Sequence, residues 1–181
     1  MKEPTSIRMK EPASVVSQNF IEWSDSLSIG VKEIDDQHKG LAGMVNEMSE
    51  GIKGGWGKEA RDEVLTRLVE YTKVHFATEE SLMTISNYPG AHAHKRQHEQ
   101  LIDMVGSYIK KYNEDPSASN YDLLFFLKRW LVEHIMKDDK AMGDYLVKHG
   151  TVNQGQRETF FGRIKKLFGF GNKKLASPAK A

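Results

Sequence analysis

The sequence predicts an all-α protein, an antiparallel up-down-up-down four-helix bundle with an extended N-terminal arm and a C-terminal amphipathic tail. Three observations predict it. Apolar residues recur every three or four positions over four separate stretches. Clusters rich in Gly, Pro, Asn and Ser interrupt those stretches. Histidines fall on the apolar stripes, three of them in two helix-spaced pairs: His75 with Glu79, and His94 with His98.

Residues 1–18 are polar, contain two prolines and lack apolar periodicity, which predicts a flexible arm. Phe20 to Val31 reads as an extended lead-in that lays Trp23 over the first helix. From Ile34 the spacing turns helical: Ile34, His38, Leu41, Val45, Met48 and Ile52 form one stripe, ended by Gly54, Gly55 and Gly57. A second helix is expected over Lys58–Ile85, with Val64, Leu68, Tyr71, His75, Glu79 and Leu82 inward. In NYPG, at 87–90, Pro89 and Gly90 are expected to break it and turn the chain. A third helix, His92–Tyr112, turns His94, His98, Leu101, Val105 and Tyr108 inward, so that the two pairs face each other across a hairpin. Asn113 to Asn120 is a loop in which Ser119 and Asp122 have capping-box spacing. The fourth helix, Tyr121–Lys148, is expected to bury Leu123, Leu127, Trp130, Leu131 and His134. The main domain is thus expected over 19–150, and 151–181 is a basic tail with a stripe of Phe160, Phe161, Ile164, Leu167 and Phe168.

Composition narrows the chemistry. The 181 residues are 39% hydrophobic and 28% charged, as expected of a globular protein with one full core. No apolar run approaches the roughly 20 residues of a membrane-spanning helix, and the first residues do not resemble a signal peptide, so a cytoplasmic location is expected. With no cysteine, disulfides, iron–sulfur clusters, thiolate zinc sites and cysteine nucleophiles are excluded together. The net charge of +1 is uneven: residues 157–181 hold seven Lys and Arg against one Glu, leaving −5 on the rest. An acidic bundle without a base-reading motif argues against nucleic acid as a partner. The basic tail 157–181 suits either docking on the bundle or contact with an anionic membrane surface or a partner protein.

The inward histidines carry the functional expectation. Five imidazoles and two carboxylates in one small core would each cost several kcal/mol if ionised and unpaired. Metal ions compensate directly, because they bind neutral imidazole and ionised carboxylate and supply positive charge. Seven donors are too many for one tetrahedral ion and suit two ions sharing carboxylates. Nitrogen and oxygen donors without sulfur fit iron, manganese or zinc. No Glu is followed three residues later by His, so the ferritin-like di-iron pattern is absent, and a histidine-rich, carboxylate-poor site suits reversible binding better than substrate oxidation.

The segments W-x5-IGV-x2-ID-x-QH, HFATEESLM, YP-x4-H-x3-H and WLVEHIMKDD, between Trp23 and Tyr145, closely resemble bacterial hemerythrins. The resemblance implies two iron ions: His94, His98 and His134 on one, His38 and His75 on the other, with Glu79, Asp139 and a solvent-derived oxo or hydroxo group bridging. It further implies that dioxygen binds at an open position on the two-histidine iron, for carriage, storage or sensing and not as an enzyme's substrate. Phe76, Trp130, Leu131 and Ile135, next to ligands in sequence, are the expected apolar lining of that oxygen pocket, although ordinary core packing would select the same residues. Helix geometry sits uneasily with one assignment. Asp138, four residues after His134, should share its face, whereas Asp139 is rotated about 140° around an ideal helix. The family pattern favours Asp139, and Asp138 is the alternative. His92 and His149 are expected to be solvent-exposed. The competing class is a di-iron oxidase or a peroxide or nitric-oxide reductase on the same ligands, and a zinc-bound or metal-free structural bundle is a third possibility.

Overall fold

The computed structural model describes residues 19–114 and 120–151. The expectations for the arm at 1–18, for Ser119 as a cap and for the tail beyond Thr151 lie outside them. The helices are α1 (Lys32–Lys53), α2 (Lys58–Ser86), α3 (Ala91–Glu114), α4 (Asn120–His134) and α5 (Lys140–Lys148), with a π-helical segment, Ile135–Asp139, joining the last two. There is no strand among the described residues, and no helix there is long and apolar enough to cross a membrane.

α1 packs on α2 and α4, and α3 packs on the same two. The side-chain pairs reveal the sense of each packing. Gln37 meets His75 while Glu47 meets Arg67. Glu80 meets Lys95 while Arg61 lies against Tyr112. Gln97 meets Asp138 while Tyr108 meets Phe126. In every case one number rises as the other falls, so adjacent helices run in opposite directions. Ile34, Met48 and Leu82 of the expected stripes are almost fully buried at the centre, as are Leu124, Met142 and Leu146, which were not expected there, and burial of each such side chain is worth about 1.5–3 kcal/mol. Tyr71, Tyr108, Ile52 and Trp130 are only partly buried at the edge of that core.

The lead-in is pinned at two points. Asn46 on α1 receives the Ile21 N–H (2.6 Å) and donates to the Ile21 carbonyl (2.9 Å). Asp35, in the first turn of α1, accepts from the Ser28 hydroxyl (2.7 Å) and the Ile29 N–H (2.8 Å), so the segment is tied to the helix it precedes. The lead-in also crosses α5 at Gly143, where an added Cβ would stand 2.4 Å from the Ile29 carbonyl oxygen. Trp23 lies over α1 as expected, its ring 6.3 Å from that of His38.

Two expectations need correction. α2 ends at Asn87 before Pro89 and Gly90 are reached. Asn87 takes the left-handed conformation (φ 54°), and the Tyr88 N–H closes back on the Met83 carbonyl at 2.9 Å. The fourth helix is also not a continuous α-helix over Tyr121–Lys148, because the wider turn at Ile135–Asp139 interrupts it.

Candidate metal centre

All seven predicted donors converge inside the bundle, each at most 4% exposed. α1 brings His38, α2 brings His75 and Glu79, α3 brings His94 and His98, and the last helix brings His134 and Asp139. They form two groups that share both carboxylates. In the first, the Nε2 atom of His134 lies 3.1 Å from that of His94 and 3.2 Å from that of His98. Asp139 Oδ1 is 3.0 Å from His94 and 3.1 Å from His134, and Glu79 Oε2 is 3.2 Å from His98. In the second, Asp139 Oδ2 is 3.0 Å from His38 Nε2, and Glu79 Oε1 is 3.5 Å from His75 Nε2 and 3.8 Å from His38 Nε2. Each carboxylate thus turns one oxygen to each group.

The spacing fits metal ions better than hydrogen bonds. Although several pairs are within 3.2 Å, His38 Nδ1 and Nε2, both oxygens of Glu79 and both of Asp139 are buried without a hydrogen-bond partner, because the atoms do not point along one another. They point at shared centres. An ion bound at about 2.1 Å by donors at right angles holds those donors about 3 Å apart. Imidazole nitrogens this close either share a proton or, with Nδ1 protonated, face lone pair to lone pair, an arrangement that a cation between them relieves.

The electrostatics point the same way. Burial works against charge on Glu79, but the histidines around it, led by His75, outweigh that and hold the carboxyl at about 2. Burial likewise opposes ionisation of Asp139, yet contacts with His134, His38 and His94 keep it well below the ordinary carboxylate range. Burial pulls His75 down to about 4 despite Glu79, whereas at His94 the same pull is overcome by Asp139 and Glu79, which raise it to about 9. Two buried carboxylates are therefore ionised, and in the metal-free protein the imidazoles around them, His94 above all, supply the opposing positive charge.

The π turn explains Asp139. With five residues to the hydrogen-bonded turn, a residue at i+5 returns to the face of residue i, which an α-helix reserves for i+4. Asp139 is 0% exposed beside His134, while Asp138 stands outside, with its side chain 24% exposed and 3.7 Å from His134 Nδ1.

Two residues that the motif reading left without a role, Gln37 and Glu80, stand behind the imidazoles together with Asp138, the alternative bridge. Gln37 Oε1 is 3.0 Å from His75 Nδ1, Glu80 Oε1 is 3.4 Å from His98 Nδ1, and Asp138 flanks His134. An acceptor at Nδ1 fixes the tautomer that leaves Nε2 free to bind inward. The available signal for Gln37 was an amide at the helical spacing of Ile34 and Leu41, where an apolar residue belongs. Of the expected lining, Phe76 stacks on His98 (3.6 Å between centroids, 4°) and Trp130 on His134 (4.3 Å, 20°), while Leu131 and Ile135 are buried. His92 and His149 are exposed, the first against Arg96 and the second stacked on Tyr145.

Residues 29–146 match the family model described as the hemerythrin HHE cation binding domain. The bacteriohemerythrin of Stenotrophomonas maltophilia (strain R551-3) is 38% identical over 152 residues, covering 81% of this chain and 97% of that protein. The bacteriohemerythrin of Pseudomonas aeruginosa (strain LESB58) is 38% identical over 129 residues, covering 70% and 81%. A crystal structure of wild-type hemerythrin superposes with a TM-score of 0.63 at 31% identity, covering 70% of this chain and 98% of that one. A family match over most of the chain, together with a donor cluster built for two cations, leads to one conclusion: this chain belongs to the hemerythrin family.

Proposed function

We propose that this protein binds dioxygen reversibly at a non-haem di-iron centre and acts as a binding protein for carriage, storage or sensing, not as an enzyme. The observation that carries the reading is the unequal division of donors around two shared carboxylates. In this reading His94, His98 and His134 would hold one iron and His38 and His75 the other, with Glu79 and Asp139 shared between the two. Two such irons supply the pair of electrons and the vacant coordination position that reversible dioxygen binding requires.

The residues of the chain do the rest. One group offers three nitrogens and two oxygens and the other two nitrogens and two oxygens, so the place left for a small ligand is beside His38 and His75. Gln37 and Glu80 hold His75 and His98 in the tautomer that directs Nε2 inward. Phe76 and Trp130 cover His98 and His134 with apolar rings, and with Leu131 and Ile135 they keep water and protons from the centre.

Iron-loaded protein, reduced without oxygen and then exposed to air, is expected to develop visible absorption bands that disappear on deoxygenation, with two irons per chain. Continuous consumption of reductant without a stable oxygenated form would replace this reading with that of an oxidase or reductase. A metal content far below two would overturn the di-iron assignment.

A further inference from the structure

Away from the metal centre, the outer face of α4 and of the π segment carries an apolar stripe. Phe125 and Met136 are 58% and 56% exposed, Tyr121 is exposed beside them, and Val132 is half-buried between. Their spacings of 4, 7 and 4 residues place them on one side of a helix. The edge of the stripe is fixed. Phe20 stands edge-on to Phe125 at 5.3 Å between centroids, and Lys128 is committed to the Phe20 carbonyl and ring. A run of large exposed apolar groups bordered by charge marks an interaction surface.

Arg129 and Glu133 border this stripe, and both are exposed. They are four residues apart, yet neither has an ion-pair partner among the described residues, and Arg before Glu is the weaker order for a pair within one helix. We propose that this face is a homodimer interface, in which two copies pack their α4 helices antiparallel about a two-fold axis near residue 131. Parallel packing would set each charge against itself. In the antiparallel register each Arg129 meets Glu133 of the second copy, twice by symmetry. The same register brings each Phe125 ring against the Met136 thioether of the second copy, about 16 Å along the helix, a favourable sulfur–aromatic contact.

Other occupants match only half of the pattern. Segment 159–168 of this chain, outside the described residues, has Arg163, Lys165 and Lys166 and no acid, so it would meet Arg129 with like charge. An anionic lipid surface would meet Glu133 with like charge. A second copy supplies both signs at the right spacing. The inference is independent of the oxygen reading, because its test does not use the iron as a readout.

The test is sedimentation equilibrium of the full-length, iron-loaded protein from about 5 to 500 µM. A single helix pair lies at the low end of interface sizes, so a reversible dimer with a Kd of about 10–100 µM is expected. Phe125→Glu is expected to abolish it. Arg129→Glu and Glu133→Arg are each expected to weaken self-association about ten-fold, because both symmetry-related pairs turn repulsive together. Mixed in equal amounts, these two variants are expected to dimerise with each other at least as tightly as wild type, since each presents the charges that the other lacks. Monomeric wild type at about 500 µM, an unchanged dimer in Phe125→Glu, or a mixture that associates no better than its components would each overturn the proposal. So would a monomer that instead sediments with phosphatidylserine vesicles. If Phe125→Glu does not fold, by circular dichroism, the mixing experiment decides, because both of its substitutions are at exposed positions.

Discussion

His75 and Glu79 are four residues apart on α2, and His134 and Asp139 are five apart on the last helix, yet both pairs deliver a nitrogen and a carboxylate to the same centre. The first pair needs nothing beyond α-helical geometry. The second needs the π turn at Ile135–Asp139, which widens the helix so that position i+5 faces inward and Asp138 is left on the rim. The lesson is that equal chemical roles can rest on unequal backbone geometry, and that the wider turn marks where function outweighs regularity.

The sharpest way to break that comparison is to exchange the two aspartates. Asp139→Ala is expected to reduce the metal content below two per chain and abolish oxygen binding, while Asp138→Ala keeps both irons. Equal losses in elemental analysis would show that the π turn does not choose between them. On the regular side, His75→Ala and His38→Ala are expected to abolish the oxygenated spectrum while circular dichroism remains helical.

The next effect is on metal-free protein in acid. His75 has a folded pKa of about 4 against an ordinary 6.5, so the unfolded chain takes up a proton in that window and the folded chain does not. The His75 contribution is therefore intact above 6.5 and falls by about 3 kcal/mol as pH drops to 4. Glu79 and Asp139, with lowered pKa values, act in the same sense below that window, since their contribution is lost as pH falls through the folded value. Denaturant titrations from pH 7 to 4 measure this, and a flat profile would contradict the burial of His75.

Gln37→Leu tests the regular pair more gently. Loss of the acceptor at His75 Nδ1 is expected to lower metal affinity by about 10–100-fold, as read in a chelator competition. Leu131→Ala, which thins the apolar cover beside Trp130, is expected to accelerate autoxidation several-fold, and an unchanged rate would remove Leu131 from the shield. The smallest effect sharpens the comparison from the other side. Deleting the exposed Lys137 would turn the π segment into an α-helix in which the present Asp139 lies four residues from His134. Two metals per chain should be retained, with thermal stability changed by only about 1 kcal/mol.

Much of the fold was legible because amphipathic spacing is a property of single helices. The stripes through Ile34, Leu68, Leu101 and Leu127 mark buried faces whatever packs on them, and observed helix limits differ from expected ones by only a few residues. The turn after α2 was placed correctly but credited to Pro89 and Gly90, although Asn87, of the residue type that after glycine best tolerates the left-handed region, was the available signal for the helix end.

The sequence by itself determined the helices, the absence of thiolate chemistry and the five inward histidines with Glu79, because residue type and 3.6-residue spacing suffice for these. Only the tertiary structure decided that Asp139 and not Asp138 turns inward, and that Gln37 and Glu80 stand behind the histidines. Each of these depends on where a neighbouring helix lies, and the position of a neighbour is not encoded in the period of a single strand of sequence.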